Sequence, residues 1–256
     1  MEPFFIIIEQ MRNFLPEDLT ITSWAQIQIY FEDLKLRTLN SLADLKKWML
    51  DRSELEAVLE ENMAWRYIKM NIDTRDTALQ SSFQFFVEKI SPNIAPYDHE
   101  FNTKFSSSPF LKDLDQDKYF IYLRSVKNEM KLYRAKNIPL FTELTNKSQK
   151  FGEIAAQMMV TIDGEEKTLQ QAAVYLKYTD RSKRQEVFEK VNLRRAADTE
   201  KLDLLLDELI EKRQEVAKNT DFENFRDYKF QSMGRFDYTK EDCFSFHESI
   251  AREIVP

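Results

Sequence analysis

The chain has 256 residues, 43% of them hydrophobic and 32% charged, with 44 acidic against 37 basic side chains and a net charge of −7. This balance fits a folded, soluble chain rather than a disordered one, and without a concentrated basic surface neither nucleic acid nor an anionic membrane is an expected partner. The single cysteine, Cys243, excludes an internal disulfide and a cysteine-rich zinc knuckle; it fits a reducing compartment, so the expected location is cytoplasmic.

In chain order, the apolar run at residues 4–8 follows Glu2 and no basic residue. It is too short for an export signal or a membrane span and is expected to be a buried first element or a mis-called start. Three four-residue stretches have the spacing of a helix start, in which a side-chain oxygen caps an amide and an acid or amide reaches back. They begin at Ser23, Asp51 and Thr168. Loops are expected at SPNIAP (91–96), SSSPF (106–110) and NIP (137–139), where proline and serine cluster.

Only Gly152, Gly164 and Gly234 interrupt a chain rich in Leu, Lys, Glu, Gln and Ala. That composition predicts an all-α architecture. The exception is MMVTIDGEEKT, where Val160, Thr161 and Ile162 run into Asp163-Gly164, a pair suited to a tight two-residue turn. One short β-hairpin is therefore expected near residues 158–168.

Two amphipathic helices follow. In the first, at 199–218, Leu202, Leu205, Leu206, Leu209, Ile210, Val216 and Ala217 fall toward one side. In the second, at 239–255, Cys243, Phe246, His247, Ile250 and Ile254 do the same. Each is expected to pack one face.

That last helix also carries His247-Glu248-Ser249-Ile250-Ala251, one residue short of the HExxH zinc signature. The signature needs histidines at i and i+4 so that both rings meet one ion, and Ala251 has no lone pair. Cys243 and His247 share the same spacing but have no third donor nearby in sequence. His247 is therefore expected to be a packing residue, and His99 a surface or capping one. No metal ligand and no catalytic residue is assigned in this chain. The 20 Phe, 10 Tyr and 3 Trp are expected to build a thick helical core, while some of them are candidates to line a groove for extended peptide.

Three stretches, DGEEKTLQQAAVYLKYTDRSKRQEVFEKVNLRR, EKRQEVAKNTDFENFRDYKFQSMGRFDYT and EDCFSFHESIAREIVP, closely resemble in that order the oligoendopeptidase F branch of the thimet-like zinc oligopeptidases. SELEAVLEENMAWRYIKMNIDT and SPFLKDLDQDKYFIYLRSVKNEMKLYRAKNIPLFTEL are similar to the same family. The resemblance implies a multi-helical lobe of a two-lobed zincin-like metallopeptidase that admits short peptides to a channel. It divides the chain into an amino-terminal helical region at 1–110, an amino-terminal-type domain with the hairpin at 111–196, and the opening of the peptidase domain at 197–256.

In the family, zinc is held by HExxH and a later glutamate, all downstream of the last residue here. The implied function is thus the amino-terminal portion of a zinc-dependent oligoendopeptidase, with zinc in the complete enzyme and none expected in this chain. The expected partners are short peptides, the carboxy-terminal catalytic half and, through uncovered apolar helix faces, further copies of the chain. Tyr228, Arg235 and Tyr238 are the candidates to face the peptide channel. The alternative is a non-catalytic helical interaction module built on the same scaffold.

Overall fold

The first helix, α1 (Trp24–Leu36), starts at the expected cap: the Gln26 side chain accepts from the Ser23 amide at 3.1 Å and the Thr22 amide at 2.7 Å. The structure, a computed structural model, describes residues 12–255, so the apolar run at 4–8 lies outside the described residues. Eleven α-helices and one β-hairpin are present among the described residues, and the chain divides into two units, Met1–Ala135 and Lys136–Pro256. No described helix is long and apolar enough to cross a membrane.

Among the described residues the regular elements of the first unit are all helical, with α2 (Leu42–Ile72), α3 (Thr77–Phe85), α4 (Ser91–Ser106) and α5 (Phe120–Leu132) following α1. The expected helix start at Asp51 is incorrect, because α2 begins ten residues earlier with Ser41 as its cap and runs through without a break. Leu45, Trp48, Leu55 and Leu59 repeat at helical spacing on its buried face, and a stripe that long outweighs a local cap-like pattern. Asp51 is instead a buried carboxylate, contacted by Arg37 at 2.5 Å and Lys47 at 3.0 Å. Core side chains Phe31, Trp48, Phe101 and Phe105 are almost fully buried, and each contributes roughly 1.5–3 kcal/mol.

The loop expected at 91–96 is also absent, because helix continues through it. Between α3 and α4 the chain makes a π-helical turn, Phe86–Ile90, in which the Ser91 amide bonds the Phe86 carbonyl five residues back. Such a wide turn leaves room for Pro92, which has no N–H to donate and whose ring would crowd an ordinary turn. Pro96 then sits inside α4. The stop of α1 is equally specific: Lys104 Nζ donates to the carbonyls of Leu34 at 2.9 Å, Lys35 at 2.8 Å and Arg37 at 2.5 Å, satisfying acceptors that a helix end leaves open.

The second unit opens with α6 (Ile138–Ala156), which has Pro139 in its first turn, so NIP marks a helix start rather than a loop. The hairpin is as expected. Strand β1 (Met159–Ile162) pairs antiparallel with β2 (Glu165–Thr168), in register Met159 to Thr168 and Ile162 to Glu165. Asp163 and Gly164 have φ of 54° and 83°, the pair of positive values that a tight turn needs to match the strand twist. Thr168 then caps α7 (Leu169–Ala173) reciprocally with Gln171, at 2.9 and 3.2 Å.

Helix α8 (Arg181–Ala196) closes a small core in which Val187 and Val191 meet Val160, Ile162 and Ala172. Helix α9 (Thr199–Asn219) packs on α6. The buried Asn137 fixes that pair by donating to the Val216 carbonyl at 3.2 Å and Thr220 Oγ1 at 3.1 Å, and by accepting from Asn219 at 2.7 Å.

Candidate functional site

The candidate residues Tyr228, Arg235 and Tyr238 lie in a segment that begins where α9 ends. Asp221 adopts φ of 65°, its amide bonds Lys218 O at 3.1 Å, and the Phe222 amide returns to Ala217 O at 3.0 Å. This paired closure is the usual way a helix ends when one residue takes the left-handed conformation. Asn224 caps the next helix, α10 (Phe225–Ser232), by accepting from the Asp227 amide at 3.0 Å.

Tyr228 is buried at 6% exposure, packed edge-on to Phe222 and tilted against Phe225. Burial raises its hydroxyl above the ordinary tyrosine range. Arg235 and Tyr238 are brought together on one ring: the Arg235 guanidinium lies 5.5 Å from the centre of Phe230, and Tyr238 meets it edge-on at 5.5 Å. Gly234, at φ of 65°, makes the reversal that returns the chain there. Tyr238 remains 45% exposed. An aromatic face flanked by a guanidinium can hold an apolar side chain while the cation meets a carbonyl or carboxylate.

Sequence reasoning missed Phe230 and Asp227. Asp227 is contacted by Arg226 at 2.9 Å and Lys240 at 3.0 Å, and by Asn224 at 3.3 Å. Arg226 foremost, then Lys240 and Asn224, hold its carboxyl down at about 2. The signal was present as Asn-x-x-Asp, a cap followed by an acid three residues on, but that spacing does not specify Arg226 at its third position, and Lys240 lies 13 residues beyond Asp227.

Helix α11 (Lys240–Glu253) begins at a reciprocal cap between Thr239 and Asp242, at 2.7 and 3.3 Å. None of its residues is buried, so the expectation that it packs an apolar face is incorrect among the described residues: Phe246, Ile250 and Ile254 are 65%, 37% and 74% exposed. His247 is exposed on the same helix rather than packed. His99, expected at the surface or in a cap, instead stacks on Tyr133 within α4's surroundings, with ring centres 4.0 Å apart and planes 10° from parallel.

Helix α9 is covered on one side only. Leu205, Leu209, Val216 and Ala217 are buried, while Leu206 and Ile210, expected on the same face, are more than half exposed. Among the described residues no three His, Cys, Asp or Glu side chains stand close enough together to hold a metal ion. Cys243 and His247 therefore do not fit a zinc site, and no chemistry at a metal is derived from them.

Residues 14–133 match the family model described as the Peptidase M3 N-terminal domain. No curated protein sequence matches the chain. Among solved structures, a 3.1 Å crystal structure described as an oligoendopeptidase F superposes with a TM-score of 0.84 at 24% identity, over 91% of this chain and 41% of that one. A protein of the same description from Bacillus anthracis str. Ames gives 0.84 at 22% identity, over 96% of this chain and 46% of that one. PZ peptidase A with inhibitor 2 gives 0.80 at 23% identity, over 91% and 41%. At these identities the likeness shows the fold, and the chain spans less than half the length of each.

Proposed function

We propose, from the match of residues 14–133 to the Peptidase M3 N-terminal domain, that the chain is the amino-terminal portion of a zinc-dependent oligoendopeptidase that hydrolyses short peptides in an enclosed channel. The observation that carries the reading is coverage. Nearly the whole chain superposes on proteins described as oligoendopeptidase F, yet it accounts for 41% and 46% of their lengths. The metal ligands and the water-activating glutamate belong to a carboxy-terminal half, and residues 197–256 form the opening of the peptidase domain that continues into it.

The uncovered apolar residues of α9 and α11 support this reading. Leu206 and Ile210 on one helix, and Phe246, Ile250 and Ile254 on the other, recur every four residues and so form stripes. Such stripes are unfavourable in water and are normally covered by another part of the protein. Arg235 and Tyr238, held on Phe230, are the side chains proposed to face the peptide, and Tyr228 supports them from beneath through the α10 aromatic cluster. One cysteine and no membrane-spanning helix among the described residues support a cytoplasmic location.

The second reading is a non-catalytic helical interaction module built on the same scaffold, which the uncovered apolar residues of α9 and α11 would serve as a docking face. The reading frame beyond Pro256 separates the two. Continuation into HExxH supports the peptidase, whereas a natural stop supports the module. In the continued polypeptide, Tyr238→Ala with Arg235→Ala is expected to lower turnover of a quenched-fluorescent peptide at least fivefold. Unchanged turnover removes these residues from the channel.

A further inference from the structure

The first unit contains a cavity of about 450 Å³ between α2, the π-helical turn and α4, within the size range of small-molecule sites. It follows α2 from Glu56 to Tyr67, a rise of about 16 Å. Its two ends differ. Leu59, Met63, Tyr67 and Phe86 supply apolar walls, whereas Asp98 and Glu56 lie together at the other end, with Glu60 one turn on from Glu56. Among the described residues no basic side chain lines it.

The charge around Asp98 is unbalanced. From α2 it faces Glu56 and Arg52, and from α5 it faces Glu129; Tyr122 of α5 adjoins Arg52. The single guanidinium is already engaged, since Arg52 Nε donates to Glu56 at 2.6 Å and Nη1 to Asn102 at 2.8 Å. Glu129 accepts from Asn102 at 2.9 Å. Three carboxyl groups thus share one cation, and among the described residues none donates a hydrogen bond to the Asp98 carboxyl.

We propose that this cavity binds a small primary ammonium ion bearing an apolar group, the ammonium between Asp98 and Glu56 and the apolar part along Leu59, Met63 and Phe86. An ammonium supplies the missing positive charge and three donors. A carboxylate or phosphate would meet three acids instead, and a neutral apolar molecule would leave the acid end unpaired. The proposal rests on the cavity's own lining and stands whichever reading of the function holds.

Binding is also linked to protons. Burial, and then repulsion by Glu56, hold the Asp98 carboxyl up at about 7. The bound cation favours the ionised form, so a proton leaves Asp98 when ligand binds below that pH. Between pH 6 and pH 8 the ionised fraction rises about tenfold, and affinity rises with it. A free amine and the amino terminus of a peptide offer the same chemistry.

The test is titration calorimetry of the 256-residue chain with phenethylamine, which stays charged throughout, at pH 6 and pH 8 in two buffers of different ionisation enthalpy. Affinity about tenfold higher at pH 8, with proton release at pH 6, is expected, as is loss of at least tenfold in Asp98→Asn and in the cavity-filling Met63→Trp. Nuclear magnetic resonance of the Asp98 carboxyl carbon, shifting toward its ionised position on binding, reads the contact without any substitution. At pH 7, phenylalaninamide binding while its N-acetyl derivative does not identifies a peptide amino terminus as a ligand; binding of phenethylamine alone restricts the site to free amines. The proposal is overturned if neither amine binds at millimolar concentration, if phenylacetate binds equally well, or if the Asp98 carboxyl signal ignores the ligand.

Discussion

Two aspartates show how differently this chain treats one functional group. Asp98, buried beside Glu56, keeps its proton to about 7, whereas Asp227, between Arg226 and Lys240, gives it up at about 2. For Asp98 the folded state holds the proton more tightly than the unfolded chain, so its contribution falls as pH rises from about 4 to about 7. Replacing it by asparagine should flatten that slope and stabilise the protein at pH 8 by about 1–3 kcal/mol, measured by urea unfolding at several pH values. Asp227 has the opposite sign: its stabilisation is present above about 4 and disappears as pH falls toward 2. Asp227→Asn should cost about 0.5–1 kcal/mol at pH 7, since the carboxylate is partly solvated, and nothing measurable at pH 2. Tyr228→Ala should cost about 3–5 kcal/mol through lost packing. Tyr238→Ala, from an exposed position, should stay within about 1 kcal/mol.

At the scale of elements, Asn137 makes the sharpest prediction, because three hydrogen bonds converge on a side chain that is 1% exposed. Asn137→Ala leaves the Asn219 side-chain amide without this acceptor, while the Val216 carbonyl keeps the Thr220 hydroxyl at 2.8 Å, and thermal unfolding should report a loss of about 1–3 kcal/mol. What could be read from sequence here was local. Asp163-Gly164 announced its turn because two positive φ values are demanded of two adjacent residues, and Thr168 announced its cap because both partners lie within four positions. Where a distant contact decided the outcome, local patterns misled. Asp51 has the spacing of a cap but lies mid-helix under Arg37, and 91–96 reads as a loop only until the π-helical turn accommodates its first proline. Asp98 carried no signal at all, since its neighbours Glu56 and Glu129 are each remote in sequence.

For the whole molecule, the amphipathic pattern of α9 and α11 was legible and its partner was not. A helix with Phe246, Ile250 and Ile254 exposed is suited to an apolar partner surface, and the helix's own sequence does not specify which residues would supply it. The second unit in isolation is therefore expected to leave apolar area in water, and sedimentation of the chain should show concentration-dependent association that weakens when Phe246 and Ile250 are both replaced by serine. A monomer at all concentrations would mean these stripes need no cover. We propose that this chain supplies the scaffold and that a carboxy-terminal half supplies the metal ligands. It is tested most directly by incubating the purified 256-residue chain with zinc and a short quenched-fluorescent peptide, with and without chelator. No turnover above the uncatalysed rate is expected in either case; hydrolysis by the chain alone that a chelator abolishes would overturn the proposal.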